Sequence, residues 1–204
     1  MRERLGILGG AFDPPHVGHL ILGEFARQQL DLDRVLYMPT GQPPHKQDQP
    51  VTAVEHRLAM TKLAIAGNDA FAVSTADIER PAPHYTVTLL PSLKKRFSQA
   101  DFVLVIGGDS LRDLPAWRQP QVIVQQWELA VLPRPDSHVD WDVLEAAAPG
   151  VRQATTLLDG PFVALSSTQI RRWVRDGRSM RYLMPEAIAQ YIRQHALYID
   201  GARP

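Results

Sequence analysis

Apolar positions along this chain fall into short unbroken runs, separated by stretches in which they recur with helical spacing. Leu5 to Leu8, Arg34 to Met38, Phe71 to Ser74, Phe102 to Ile106 and Leu129 to Leu132 read as buried strands, and Phe162 to Leu165 as the last one. Thr155 to Leu158 reads as an extended segment. Val17, Leu20, Ile21 and Phe25 form one face of a first helix, Val17 to Leu30. Thr52-Ala53-Val54-Glu55 has the form of a capping box and opens a helix to Ala66. Further helices are predicted from Tyr85 to Phe97, over most of Leu114 to Gln126, from Val139 to Ala148, from Ser166 onward, and from Glu186 to Ala196. Pro91 is expected in the first turns of its helix or at a kink. Strands alternating with helices predict an α/β fold with a doubly wound parallel sheet: a single domain over residues 1–204 with a C-terminal helical part. Ligands of such sheets bind beyond the carboxyl ends of the strands, where the strand order reverses.

Composition narrows the class. Lys plus Arg and Asp plus Glu both number 22, so the chain is neutral and lacks the basic excess of a nucleic-acid binder. There is no Cys, which excludes disulfides, thiolate zinc sites and a cysteine nucleophile, and fits a reducing compartment. No signal-peptide pattern and no membrane-spanning apolar run is present, so no membrane partner is expected and the cytoplasm is the predicted location. The sequence leaves the oligomeric state open.

Candidate chemistry gathers at the predicted strand ends. The first is Gly9-Gly10-Ala11-Phe12-Asp13-Pro14-Pro15-His16-Val17-Gly18-His19, a strand–loop–helix corner. Glycines without Cβ let a ligand approach the backbone, and the N–H groups of a helix start favour an anion. His16 and His19, three apart, share one helix face. Gly18 between them would leave room for a bulky group. Neither a P-loop nor a dinucleotide fingerprint stands here. Two His at this spacing without a third ligand make a poor zinc pattern, so no protein-bound metal is expected. A second glycine corner, Gly107-Gly108-Asp109-Ser110, ends the strongest strand signal. A third, Ser166 to Arg171, sets Arg171 and Arg172 near a helix start, where cations oppose the dipole unless an anion is bound. The Pro-rich loop Pro39 to Pro50 carries Lys46, and Arg134 lies between two prolines. Two anion corners at one sheet edge imply a nucleoside triphosphate. Nucleotidyl transfer to a phosphate would need no activated Ser or Cys: the attacking oxygen is already ionised, and catalysis reduces to in-line positioning and charge neutralisation. Mg2+ would come with the triphosphate and need few protein ligands.

The first corner resembles the GG-x-F-D-P-x-H-x-G-H motif of the HxGH nucleotidyltransferases, and Ser166 to Arg171 resembles their S-S-T-x-I-R motif. With Pro43-Pro44-His45-Lys46, Tyr85-Thr86-Val87-Thr88 and Gly107-Gly108-Asp109-Ser110-Leu111 before Trp117, the chain is similar to bacterial nicotinate-nucleotide adenylyltransferases over nearly its whole length. The resemblance implies a Rossmann-like nucleotidyltransferase that joins ATP and nicotinate mononucleotide to nicotinate adenine dinucleotide and pyrophosphate. His16, His19, Lys46 and Arg171 would be catalytic. ATP would meet Gly9, Gly10, Ala11, Phe12 and Gly18 with the two histidines. It would also meet Gly107, Asp109, Arg134, Ser167, Thr168 and Arg171. The mononucleotide would meet Asp13, Lys46, Arg57, Tyr85 and Thr86, with Trp117 stacked on its pyridine ring. The family segment Y-T-x-D-T-L departs here, where Thr88 follows Val87 and Pro91 comes soon after. Phosphopantetheine adenylyltransferases share both phosphate motifs but lack the P-P-H-K and Trp117 features. A non-catalytic nucleotide-binding regulator could dispense with the imidazoles.

Overall fold

The computed structural model describes residues 2–41, 51–133 and 138–199. Among them six strands form one sheet in the order β3-β2-β1-β4-β5-β6, every neighbouring pair parallel. They are β1 (Glu3–Gly10), β2 (Arg34–Pro39), β3 (Phe71–Val73), β4 (Ala100–Gly107), β5 (Glu128–Leu132) and β6 (Thr155–Leu157). The chain winds outward from β1 to β3, then crosses back to lay β4 on the other side of β1. The strand order therefore reverses between β1 and β4, where Ile7 lies opposite Leu104.

Side chains alternate across each strand, so the sheet buries two cores. On one face Leu8, Val35, Tyr37, Val103 and Val105 pack under α1 (Val17–Gln29), α2 (Val54–Ile65), α8 (Ser167–Arg175) and α9 (Glu186–Gln194). On the other, Leu5, Ile7, Leu36, Leu104 and Val131 pack under α3 (Thr86–Arg96), α4 (Gly108–Arg112), α5 (Pro120–Gln126), α6 (Trp141–Ala147) and α7 (Val151–Ala154). Both faces being covered explains why the strands read as continuous apolar runs rather than alternating ones. No helix among the described residues is long and apolar enough to cross a membrane.

Several predicted elements change in detail. Thr52 caps nothing. Ala53 stands at the N-cap of α2 without a side-chain bond, because Thr52 gives its N–H to the Asp13 carboxylate and its carbonyl to Arg57. Leu114 to Gln126 is broken: a 3-10 turn, Leu114–Ala116, is followed by Trp117 in extended conformation and then α5. The short helix α7 has no counterpart in the apolar pattern. Phe162 to Leu165 is no strand. After β6 the chain pairs once more, Leu158 N–H to Val131, and then passes Gly160 close against Phe25 and Leu132. Val163 packs over Gly18 instead of extending the sheet, and Phe162 is left exposed. Pro91 sits inside α3, past its first turn.

One close approach sets how α1 lies on the sheet. The Tyr37 hydroxyl donates to the carbonyl of His19 at 3.1 Å, and a Cβ on Gly23 would collide with that hydroxyl. Burial, with Glu24 nearby, holds the Tyr37 phenol well above its ordinary pKa, so it remains a donor. Gly23→Ala should therefore lose about 1–3 kcal/mol in chemical denaturation. Combining it with Tyr37→Phe should recover part of that loss. Equal costs in both backgrounds would mean that Gly23 does not serve this contact.

Candidate active site

The cleft follows from the strand reversal. Two cavities, about 310 Å3 and about 250 Å3, lie over the carboxyl ends of β1 and β4 and share Gly9, Gly10, Ile106 and Ser110 as lining. A Cβ at Gly9 or at Gly107 would meet no protein atom, so their bare backbones face the opening. The smaller cavity adds His16, Gly18, His19, Gly107, Asp109 and Pro133. The larger adds Ala11, Thr40, Tyr85, Thr86, Trp117 and Arg118. Asp109, in the first turn of α4, has Arg112 at 3.6 Å.

The histidine pair is locked by the helix it opens. His16 is the N-cap of α1, and its Nδ1 accepts the N–H of Gly18 at 3.2 Å. His19 reaches back so that its Nδ1 accepts the N–H of His16 at 3.1 Å. This is a capping box built from two imidazoles in place of Ser and Glu. An Nδ1 that accepts a backbone N–H carries no proton, so each neutral ring bears its proton on Nε2, on the side away from the backbone. The ring centroids are 3.9 Å apart. Phe12, with φ of 49° and a buried ring edge-on to His19 at 5.1 Å, supports the second imidazole from below. A Cβ on Gly18 would lie 3.0 Å from the His16 ring, so this glycine makes room for that imidazole while itself lining the smaller cavity.

The C-terminal half of the chain docks directly onto this corner. Ser166 caps α8 by accepting the N–H of Gln169. Ser167 Oγ donates to the carbonyl of Pro14 at 2.8 Å. Arg171 donates to the carbonyl of Asp13 at 2.8 Å and to Thr168 Oγ1 at 3.2 Å, with the Asp13 carboxylate 4.0 Å away. Arg171 is the fifth residue of the helix, so it escapes the dipole conflict expected of a first-turn cation.

Two residues expected at the mononucleotide are instead supports of the loop. Arg57 is 1% exposed. Its guanidinium donates to the carbonyls of Thr52, Ala11, Thr40 and Gly41 at 2.7–2.9 Å. Burial draws it below its usual pKa, against the pull of Asp13. Asp13 is buried as well. It accepts from the Tyr198 hydroxyl at 2.7 Å and from the Thr52 N–H at 3.3 Å. Burial, then the Asp13 charge, holds the Tyr198 phenol well above its ordinary pKa. Lys46 and Arg134 lie outside the described residues.

Sequence reasoning missed Tyr198, whose partner is far away in the chain. It also missed Asp77, Arg80 and His84, which form a buried cluster at the larger cavity. The signal for the cluster was two charges and an imidazole in a loop otherwise read as a connection.

A doubly wound sheet with a two-lobed cleft at its switch point and paired imidazoles on a helix start defines a nucleotidyltransferase of the Rossmann-like kind. The family model described as cytidylyltransferase-like matches residues 7–173. A protein of Thermomicrobium roseum named "probable nicotinate-nucleotide adenylyltransferase" is 45% identical over 96% of this chain and 92% of its own. A Synechococcus protein of the same name is 44% identical over 98% of this chain and 96% of its own. The chain belongs to the nicotinate-nucleotide adenylyltransferase family. The solved Plasmodium falciparum nicotinic acid mononucleotide adenylyltransferase, complexed with NaAD, shares the fold with a TM-score of 0.78 at 18% identity, over 96% of this chain and 97% of that one.

The support role of Arg57 is directly testable. Arg57→Leu leaves several buried carbonyls without donors and should cost about 3–5 kcal/mol in chemical denaturation. Arg57→Lys should recover only part, since an ammonium cannot span four acceptors in one plane. An Arg57→Leu protein as stable as the parent would contradict the role.

Proposed function

We propose that the chain works as one nucleotidyltransferase domain that transfers the adenylyl group of ATP to nicotinate mononucleotide, releasing pyrophosphate and nicotinate adenine dinucleotide, a step in making NAD. The observation that carries this reading is a pair of cavities that meet at Gly9, Gly10 and Ser110, one beside two imidazoles and one beside an aromatic wall. ATP takes the smaller cavity, with its phosphates toward His16 and His19. The mononucleotide takes the larger, its pyridine ring against Trp117 and its carboxylate at the start of α3, where Tyr85 offers no side-chain cap and leaves backbone N–H groups for an anion.

The reaction is an in-line displacement. An ionised oxygen of the mononucleotide 5′-phosphate forms a bond to the α-phosphorus of ATP, the bond to the bridging oxygen breaks, and pyrophosphate leaves with that electron pair. The Nε2–H groups of His16 and His19 donate to phosphate oxygens as charge gathers there. They are pre-set by their backbone caps and need no reorganisation. Arg171 and Ser167 hold α8 against the phosphate loop, and Lys46 and Arg134 add positive charge from the loops that carry them. A divalent cation accompanies the ATP, and we take it to be Mg2+. The cleft suits an ion carried mainly by phosphate oxygens, because among the described residues Asp109 is the one carboxylate lining the smaller cavity. The proposed compartment is the cytoplasm.

Pyrophosphate release with ATP and nicotinate mononucleotide tests the reading, with phosphopantetheine as the control acceptor. Activity with phosphopantetheine alone, or with neither, overturns it. Within the reaction, His19→Ala should lower kcat by about two to four powers of ten with little change in KM. An unchanged kcat would assign the ring to structure. Trp117→Ala should raise KM for the mononucleotide several-fold, by roughly 1 kcal/mol of lost stacking, and leave that for ATP nearly unchanged. Equal rises for both substrates would place the indole elsewhere.

A further inference from the structure

Among the described residues, the buried side-chain polar atoms without a hydrogen-bond partner are Asp77 Oδ2, Arg80 Nε and His84 Nδ1. All three belong to one cluster. The side chains of Asp77, Arg80 and His84 are only 6%, 9% and 7% exposed. Asp77 and His84 both line the larger cavity, beside Tyr85 and Thr86. Buried polar atoms are almost always paired, so three orphans in one cluster beside a ligand cavity leave that cluster poised to rearrange when a charged group enters.

The cluster is built in layers. Arg80 is tied to the start of α3: it donates to Thr88 Oγ1 at 2.6 Å and to the carbonyl of Tyr85 at 3.4 Å, and it pairs with Asp77 Oδ1. That leaves Oδ2 of the same carboxylate facing His84 Nδ1 at 3.6 Å. The His84 ring lies against Gly41, where a Cβ would stand 2.6 Å from Nε2, so a residue without one is what admits the imidazole. The charged groups around the ring are Asp77 and Arg80 from its own loop and Arg118, which lies over the Tyr85 ring at 5.2 Å. Asp77 and Arg80 offset one another, so protonating His84 adds a net positive charge at the cavity wall.

We propose that His84, backed by Asp77, is the specificity-determining residue of the mononucleotide cavity, and that it selects a pyridine ring bearing a carboxylate over one bearing a carboxamide. This rests on the adenylyl-transfer reading above. The imidazolium gives its Nδ1–H to Asp77 and presents Nε2–H to the anionic ring substituent, a charge-assisted bond that a neutral amide does not return. Arg80 keeps Asp77 in place and joins the cluster to the helix start that the same carboxylate approaches.

The test compares kcat/KM for nicotinate and nicotinamide mononucleotides in the full-length protein and in His84→Gln. Both acceptors carry the same phosphate, so they differ only in the ring substituent. In His84→Gln the acid-to-amide ratio should be at least about tenfold lower than in the parent, with KM for ATP within about twofold of the parent. Gly41→Ala, which displaces the same ring, should lower the ratio as well and serves if His84→Gln does not fold. An unchanged ratio in these variants overturns the proposal. Failure of the underlying reading looks different: the parent would then release no pyrophosphate with either mononucleotide.

Discussion

The structure depends on where two histidine protons sit. Backbone N–H groups at the start of a helix need acceptors, and here the acceptors are the Nδ1 atoms of His16 and His19. That obligation fixes ring orientation, tautomer and spacing at once. The same bonds that begin α1 therefore prepare two Nε2 donors beside a cavity formed by bare glycine backbone. A Ser–Glu capping box would start the helix equally well but would leave nothing to offer a phosphate. The close contacts nearby serve this arrangement: Gly18 makes space for one ring, Phe12 supports the other, and Tyr37 holds the carbonyl of His19.

A second constraint joins distant parts of the chain. The loop between β1 and α1 buries Phe12 in the core, and polar groups from three other segments fix the rest of it. Arg57 gathers four carbonyls around it, Thr52 and Tyr198 take the Asp13 carboxylate, and Ser167 and Arg171 bring the start of α8 against Pro14 and Asp13. A buried network of this kind stabilises only when every member is satisfied, which is why so many of its bonds end on backbone carbonyls. Asp13 serves as a hub. Its charge is met by Tyr198 and lies near Arg171, and the carboxylate is used up in the fold rather than offered to a ligand.

Much of this was legible in the sequence. Unbroken apolar runs such as Phe102 to Ile106 could only be strands covered on both faces, and that dictates a doubly wound sheet with its cleft at the carboxyl ends. The glycine–histidine corner stood out because local geometry alone explains its spacing. What remained hidden depends on contacts far apart in sequence. Thr52 looks like a helix cap until Asp13 claims its N–H, and Arg57 looks like a ligand contact until four carbonyls appear around it. Phe162 to Leu165 has the apolar pattern of a strand, yet Gly160 packs against Phe25 and Leu132 and Val163 covers the histidine corner instead. The Asp77–His84 cluster was invisible because neither residue is unusual in a loop until both are buried at one cavity.

The most direct measurement is heteronuclear NMR of the histidine ring nitrogens, which reports which nitrogen of each imidazole bears the proton. The account predicts that His16 and His19, at a pH where both are neutral, carry it on Nε2, with Nδ1 shifted as a hydrogen-bond acceptor. Protons found on Nδ1 would show that the imidazoles do not cap the helix, and the pre-set phosphate donors would not exist.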